Sequence, residues 1–457
     1  MKSNHYSMVI RGSGYTASSV DTIHYFSDAL ICLDTTGYIT RICVREDAEY
    51  LSLISMARKT GILHELHAGE YLLPGFIDLH VHAPQWPNLG KALDRPLDQW
   101  LQEYTFPLEA RYSDPKFTRS TYQHLVRTLL ENGTTTAVYF ATVHRESSLE
   151  LGRICLAYGQ RALVGKVAMD DRQSCPDYYR DESAASGIEE TRRFIDEIRQ
   201  LPGNENARVL PVITPRFIPC CTAELLSGLG KLAQETGCHV QTHCSESDWE
   251  HNFVLKQYGV TDTRTLHNFG LVTRKTILAH SNLISEDDMD IINSVSAGVA
   301  HCPLSNFYFA NCVFPLRRAL DKNVHIGLGS DISAGYSPSI FDACRHAITA
   351  SRALNDGVNP QLASEIRGNP GAEITFKEAF WLATGGGGEV LDLPVGQLRE
   401  GFLFDAIVIN TKSPGSDILI RDQEDSVHDI LQKLIYNTQR SNIREVWVGG
   451  NKVSVRE

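Results

Sequence analysis

Residues 73–85 read Leu73-Pro74-Gly75-Phe76-Ile77-Asp78-Leu79-His80-Val81-His82-Ala83-Pro84-Gln85. The apolar residues of this stretch predict a buried strand that ends in two histidines with one residue between them. Because side chains alternate across a strand, His80 and His82 project to the same side at its C-terminal end. Such a pair could hold one metal ion, or it could be two structural histidines, and the sequence farther along distinguishes these alternatives.

The composition is that of a soluble globular protein. The chain has 457 residues, of which 42% are hydrophobic and 21% charged, so we expect one large domain plus a smaller one. The net charge of −12 and the lack of a Lys/Arg run argue against nucleic acid or an anionic membrane as the main partner. The N-terminus has no apolar signal core, and no stretch is apolar enough to span a bilayer. Eleven scattered cysteines without a Cys-x-x-Cys motif favour a reduced, cytoplasmic protein.

From residue 71 onward, apolar β runs alternate with helical patterns. Eight such runs are predicted: Tyr71–Val81, Thr134–Thr142, Arg161–Met169, Arg208–Pro215, Cys238–Cys244, Thr276–His280, Ala297–Cys302 and Val324–Gly329. Most are short and continuously apolar, as expected for strands that are covered on both faces. Eight β/α units of this size predict an α/β fold with a parallel (β/α)8 TIM barrel over residues 71–395.

Both ends of the chain predict short strands instead. Residues 1–70 contain three of them and a helix, Ala48–Thr60, and residues 396–457 contain three more. We therefore expect one small β-sandwich domain built from both termini. Between barrel and tail lies the run Gly385-Gly386-Gly387-Gly388, which is expected to be too flexible for the interior of an element. A phosphate-binding role is disfavoured, because the run follows a helix and lacks the Lys-Ser/Thr of a phosphate loop.

The chemistry is expected where the barrel strands end, at their C-terminal face. Strand one ends in His80 and His82, and strand five ends in His243 with Glu246 three residues later. Strand six ends in His280 and strand eight leads into Asp331, so all of these groups should meet at one mouth. Each signal is weak alone, but the set at one face is specific.

Three imidazoles and one carboxylate are a suitable ligand set for zinc with one position left for water. The spacing does not decide which histidine lies outside this set. A bound zinc ion lowers the pKa of water from about 15.7 to about 7. Glu246 could carry the proton of that water to a leaving group, or it could be a solvated loop carboxylate. Strand four contains no lysine that could bridge a second ion, so we expect one metal. Lys166, on strand three, is interpreted as structural or as an outer charge.

These residues resemble a known family. His80-Val81-His82, Thr242-His243, Ala279-His280 and Ser330-Asp331 resemble the amidohydrolase superfamily, in particular its deaminases and chlorohydrolases that use one metal ion. Within that group, the resemblance is to the guanine deaminase family, and seven segments carry it: Pro74–Asp78, His82–Gln85, Thr105–Pro107, Leu163–Val167, Ile213–Phe217, His301–Asn306 and Gly327–Asp331. The resemblance covers residues 70 to about 350 well, is limited to Phe404-Asp405-Ala406 in the tail, and is only general before residue 70.

The resemblance implies roles for individual residues. Zinc would be held by His80, His82, His243 and Asp331. Gln85, Arg216 and Phe217 would bind the purine, with His243 and Asp331 also in contact with it. Glu246 would be the proton shuttle, while His280 and Asp331 would orient the oxygen. The implied reaction is attack of zinc-bound hydroxide on C2 of guanine, which gives xanthine and ammonia in purine catabolism. The resemblance also suggests a homodimer.

Other interpretations remain open at this stage. Gln85 could cap a loop, Arg216 could form an ion pair at the barrel mouth, and Phe217 could belong to the core. Trp86 and Trp100 could line the pocket, although packing is favoured for both. The chain could act on another heterocycle, such as a triazine, a pterin or a methylthioadenosine-like nucleoside. It could also be a non-catalytic metal-binding barrel that senses a purine, although a binder needs no proton carrier such as Glu246.

Overall fold

The computed structural model describes residues 6–310, 312–421 and 423–455. The strands fall into two sheets, one formed by the middle of the chain and one by its two ends. In chain order the strands are β1 (Met8–Ala17), β2 (Ile23–Leu33), β3 (Ile39–Cys43), β4 (Leu63–Glu65), β5 (Glu70–Pro74), β6 (Phe76–His82), β7 (Thr134–Phe140), β8 (Arg161–Gly165), β9 (Val167–Ala168), β10 (Val209–Pro215), β11 (His239–Cys244), β12 (Thr276–His280), β13 (Gly298–His301), β14 (His325–Leu328), β15 (Ala406–Asn410), β16 (Ile443–Val448) and β17 (Asn451–Val455).

The middle sheet is a nearly closed parallel barrel, as predicted. Its order is β6-β7-β8-β10-β11-β12-β13-β14, with the short β9 beside β10. The backbone directly after β14 returns to β6: Asp331 N donates to His80 O at 2.9 Å, and His82 N donates to Ile332 O at 2.8 Å. This contact between the first and last strands brings His80, His82 and Asp331 to the same point of the mouth.

The predicted strand Tyr71–Val81 is two strands in two different sheets. β5 pairs with β15 and β1 of the terminal sheet, whereas β6 pairs with β7 of the barrel. The chain changes sheets at Gly75, where a Cβ atom would lie 2.3 Å from the Thr135 side chain. A continuous apolar run carries no sign of such a change, because both strands are buried on both faces.

The second sheet contains strands from both ends of the chain, which confirms the predicted pairing of the termini. Its order is β17-β16-β15-β5-β1-β2-β3, and β4 pairs with β1. One buried ion pair connects this sheet to the barrel, between Arg161 Nε of β8 and Asp405 Oδ2, 3.1 Å apart. Asp405 lies in the short tail motif that resembles the family.

Helices cover the outside and one end of the barrel and also part of the terminal sheet, where Tyr50–Thr60 packs against Val9 and Leu30. Those of seven or more residues are Tyr50–Thr60, Pro115–Glu131, Arg145–Tyr158, Ala184–Arg199, Ala223–Thr236, Asp248–Tyr258, Asp262–Asn268, Glu286–Ser294, Ile340–Asp356, Phe376–Ala383, Gly385–Leu391 and Val427–Asn437. Several begin at a side chain that accepts a backbone N–H, such as Thr222, which accepts from Leu225 N. Within the described ranges, none of the helices has the length and apolar character that crossing a bilayer requires.

The expectation for Gly385–Gly388 was wrong, because this run forms the first turn of the buried helix Gly385–Leu391. The helix packs across the end of the barrel opposite the histidines, with Val390 and Leu391 against Ile77 and Ile277. A Cβ atom on Gly388 would lie 2.2 Å from Val395 O. Glycine is therefore used here for close approach of two backbones rather than for flexibility.

Candidate active site

Four predicted ligand residues meet at the mouth of the barrel. His80 Nε2 lies 3.2 Å and His82 Nε2 lies 3.5 Å from Asp331 Oδ1. His82 Nε2 also lies 3.0 Å from Nε2 of His243. All four side chains are buried, so three imidazoles and a carboxylate share one small volume that water hardly reaches.

This donor set fits a divalent metal ion. Tetrahedral ligands at about 2.0–2.1 Å from zinc are separated from each other by about 3.3 Å, close to the distances between these nitrogen and oxygen atoms. Burial lowers the pKa of His80, His82 and His243 well below the usual range, which keeps the imidazoles in the neutral form that binds metals. Within the described part of the chain, His80 Nε2 is buried and makes no hydrogen bond, although it lies 3.2 Å from Asp331 Oδ1. Because a buried nitrogen without a hydrogen bond is costly, its position favours a ligand role.

His243 is fixed by its other ring nitrogen. His243 Nδ1 lies 2.7 Å from Arg216 O, and because a carbonyl oxygen only accepts, the proton must be on Nδ1. Nε2 is then left with its lone pair directed at the cluster, in the arrangement that is usual for metal-binding histidines.

His280 approaches the same cluster from β12. His280 Nδ1 lies 3.0 Å from Asn306 Oδ1, and Asn306 Nδ2 donates to Asn282 Oδ1 at 2.8 Å. The amide of Asn306 is therefore oriented with its oxygen toward His280, so His280 Nδ1 donates. His280 Nε2 faces the site, 3.7 Å from both Glu246 Oε1 and Asp331 Oδ2.

Asp331 of the cluster and its neighbour His280 adopt an unusual backbone conformation. His280 has φ 67° and Asp331 has φ 50°, in the left-handed region that side chains other than glycine rarely adopt. Such a conformation costs of order 1 kcal/mol and is found preferentially at functional sites, where the surrounding structure maintains it.

Glu246 is a buried carboxylate rather than a solvated loop residue. Its side chain is directed at His280, and its backbone N–H donates to Glu250 Oε2 at 2.7 Å. Burial and the nearby charge of Asp331 raise the pKa of Glu246. A carboxyl group whose pKa is shifted toward neutrality can both accept and release a proton at the pH of the cell.

A cavity opens beside the cluster, and all five predicted substrate-binding residues line it. Its polar lining includes Gln85, Arg216 and Glu246, and its apolar lining includes Phe217 and Trp100. The sequence favoured simple packing for Trp100, but this side chain packs against Phe309 and also lines the cavity. Trp86, by contrast, donates its indole N–H to His124 Nδ1, at 2.9 Å.

Sequence reasoning missed a buried carboxylate behind this cavity, Glu109. Arg216 binds it with two nitrogens, Nη1 to Oε2 at 2.7 Å and Nη2 to Oε1 at 3.1 Å. Gln85 Nε2 donates to Oε1 at 3.0 Å, and Tyr179 OH donates to Oε2 at 2.7 Å. Arg216 therefore lines the cavity and is also an ion-pair partner, so the two interpretations of this residue are compatible. The only sequence signal for Glu109 is its place two residues after the family-like segment Thr105–Pro107.

Asp78 and Lys166 have defined partners outside the ligand cluster. Asp78 Oδ1 accepts from Ser330 N at 2.9 Å and holds the loop that carries Asp331 against β6. Burial raises the pKa of Asp78 to about 7. Lys166 Nζ lies 2.8 Å from Asp181 Oδ1, which agrees with the structural role expected for it.

Comparisons with known proteins give a consistent picture. Residues 71–453 match the sequence model of the amidohydrolase family. The guanine deaminase of Dictyostelium discoideum is 35% identical over 466 residues, which cover 99% of this chain and 99% of that protein. The guanine deaminase of Homo sapiens is 38% identical over 398 residues, covering 86% of this chain and 84% of that protein. The crystal structure of guanine deaminase from C. acetobutylicum with bound guanine in the active site matches with a TM-score of 0.85 at 31% identity, covering 97% of this chain and 99% of that one. The chain belongs to the amidohydrolase family.

Proposed function

We propose that this chain deaminates guanine, replacing the 2-amino group by oxygen from water to give xanthine and ammonia. The proposal is supported by relatives of this name at 35% and 38% identity and by the similarity to a structure that contains guanine. The observation that carries it is a single cavity in which Gln85 and Arg216 lie beside Glu246 and the cluster of metal-ligand side chains.

We propose one zinc ion as the cofactor, held by His80, His82, His243 and Asp331. Their neutral imidazoles and one carboxylate are the ligand types that zinc prefers. When bound, such an ion supplies a Lewis acid that lowers the pKa of water and so provides a nucleophile at neutral pH.

The cavity wall would hold the purine by its polar edge. Arg216 offers donors to a ring carbonyl, and Gln85 offers an amide at the same wall. Phe217 packs against the imidazole of His243, with ring centroids 6.1 Å apart, and would contact the flat face of the base. These contacts would orient C2 toward the cluster that His243 and Asp331 form.

Glu246 would move the proton. It would take the proton from the attacking water and deliver it to the ring nitrogen as the C2–O bond forms. The hydroxyl proton of this adduct would then pass to the amino group, so that C2=O forms, the C2–N bond breaks and ammonia leaves. His280 Nε2, close to both Glu246 and Asp331, would hydrogen-bond the oxygen that adds to C2, and Asp331 would help to orient it.

The substrate proposal is tested with a panel of heterocycles. The pure protein is incubated separately with guanine, a triazine, a pterin and a methylthioadenosine-like nucleoside, and ammonia release is measured for each. We expect guanine to give the highest kcat/KM, with xanthine as the product. A higher kcat/KM for another compound would favour a related deaminase. Binding of guanine without release of ammonia would indicate a purine-sensing protein.

We also propose a homodimer in the cytoplasm. All eleven cysteines are free thiols, and ten of them are buried, which is the pattern expected in a reducing compartment. The dimer is proposed from the family resemblance and is tested by the mass in solution, with a species of twice 50.9 kDa expected.

A further inference from the structure

Glu109 is a fully buried carboxylate that contacts two polar residues of the cavity wall, Gln85 and Arg216. The same side chain accepts two hydrogen bonds from Arg216 and one from Gln85. Glu109 lies on the short helix Phe106–Ala110, outside the barrel strands, so it is an addition to the strand-end cluster. An isolated buried charge would be costly, but the guanidinium of Arg216 compensates this one.

The contacts of Gln85 fix the orientation of its amide. Because a carboxylate paired with an arginine only accepts, the atom of Gln85 next to Glu109 must be the NH2 group. At the other end of the amide, Gln85 Oε1 lies 3.4 Å from the backbone N–H of Ser333, which only donates. Two independent neighbours therefore require the same orientation, with the nitrogen held by Glu109 and a lone pair of the oxygen left for a ligand.

The cavity wall therefore offers hydrogen-bond donors at Arg216 and an acceptor at Gln85. Arg216 has five N–H groups and uses only two of its nitrogens for Glu109, so it can still donate to a ligand. Gln85 can offer only its oxygen, an acceptor. A 6-oxopurine presents the complementary pair, an acceptor at O6 and a donor at N1–H. A 6-aminopurine presents the reverse, a donor at the 6-amino group and an acceptor at N1.

We propose that Glu109 is a positioning residue that makes the site select 6-oxo over 6-amino forms of 2-aminopurines. It does so by holding the Gln85 amide in one orientation while it holds the guanidinium of Arg216. This proposal rests on the proposed function, since it concerns which 2-aminopurine is deaminated. Without the carboxylate, only the long 3.4 Å contact with the backbone N–H of Ser333 holds the Gln85 amide, which can then rotate and present its NH2 group to N1 of a 6-aminopurine.

A role in charge balance alone predicts a different result. If Glu109 only neutralised Arg216, its loss would lower kcat/KM for every substrate to a similar degree. The ratio of kcat/KM for guanine to kcat/KM for 2,6-diaminopurine separates the two roles, because these compounds differ only at the 6-position edge. Both carry the same 2-amino leaving group, so the later chemistry is shared.

The experiment measures this ratio for the wild type, Glu109→Gln and Glu109→Asp. Glu109→Asp keeps the buried charge beside Arg216, but its side chain is one methylene shorter and cannot hold both Gln85 and Arg216. This variant tests the proposal if Glu109→Gln does not fold. Gln85→Met and the double variant Gln85→Met/Glu109→Gln test whether the effect passes through Gln85. Asp181→Asn is the matched control, because it removes another buried carboxylate, paired with Lys166, away from the cavity.

We expect the guanine preference to fall by at least about ten-fold in the Glu109 variants, since donors and acceptors aimed at a substrate dominate discrimination. In the Gln85→Met background, Glu109→Gln should cause no further fall, and Asp181→Asn should leave the ratio unchanged. An unchanged ratio in Glu109→Asp, or equal losses for both purines, would overturn the proposal. A wild type that releases no ammonia from guanine would instead overturn the proposed function.

Discussion

Glu246 Oε1 lies 3.7 Å from His280 Nε2, and both groups face the cluster formed by His80, His82, His243 and Asp331. A buried carboxylate and an imidazole thus lie next to the place where a metal ion fits. The proposed ligand set is complete without either group, so the proposed function assigns them to the proton and the attacking oxygen.

Glu246→Gln is expected to retain the metal and lose turnover. The amide keeps the shape of the side chain but cannot accept a proton, so kcat should fall by about 10²–10⁴-fold. Metal content and the thermal unfolding midpoint serve as controls, and both should remain near the wild-type values. Normal deamination of guanine by this variant would show that another group carries the proton.

Asn306→Leu is expected to lower kcat through His280. The variant removes the oxygen that accepts from His280 Nδ1, so the ring loses its fixed tautomer and orientation. Loss of such a supporting partner typically costs about 10–100-fold in activity. Asn282→Ala is expected to cause a smaller loss, because it removes the amide that orients Asn306 but keeps the oxygen that accepts from His280 Nδ1. Wild-type kcat in Asn306→Leu, with an unchanged thermal unfolding midpoint, would contradict the role of Asn306.

Gly388→Ala is expected to destabilise the fold although alanine is the better helix former. The new Cβ would lie 2.2 Å from Val395 O, a backbone atom that cannot move aside, and overpacking of this kind costs about 1–3 kcal/mol. Gly228→Ala is the matched control, because there the nearest atom is the mobile tip of Ile188, at 2.1 Å. Thermal unfolding should show a larger drop for Gly388→Ala, and the reverse order would contradict the close packing of this helix.

Glu445→Gln tests a pH-dependent contact in the terminal sheet. Burial raises the pKa of Glu445, but His64, Arg444 and Trp447 together outweigh it and lower the pKa to about 2. Because the folded-state pKa is below the unfolded one, the ionised form stabilises the protein above about pH 4.5, and this stabilisation is lost as the pH falls toward 2. The wild type should therefore unfold at a higher temperature than Glu445→Gln at pH 7, with a difference that shrinks below about pH 4.5. A difference that does not change with pH would contradict this account.

The sequence predicts the barrel because each strand is a short apolar run followed by a helical pattern. It also predicts which ionisable residues come together, because parallel strands end at one face and His80, His243, His280 and Asp331 lie at or just past strand ends. The break at Gly75 was not predictable, since the apolar run continues through a change of sheet.

The role of Glu109 and the buried helix Gly385–Leu391 were not predicted, for a related reason. Glu109 comes from a connection between strands and meets Arg216 across 107 residues of chain, a distance over which one sequence has no periodic signal. Four consecutive glycines at residues 385–388 indicated a flexible segment. In the structure they are needed because backbone atoms of Val395 and Ile326 lie too close to the helix for a Cβ atom. Contacts set by tertiary packing are absent from local patterns.

Metal content measured together with guanine turnover tests whether His80, His82, His243 and Asp331 hold a metal ion on which deamination depends. The pure protein is assayed for zinc and for xanthine formation, then treated with a chelator, and assayed again before and after zinc is returned. We expect one zinc ion per chain, loss of turnover on removal, recovery on return, and neither metal nor turnover in Asp331→Ala. Full turnover in thoroughly stripped protein would show that deamination does not depend on a metal ion at this cluster.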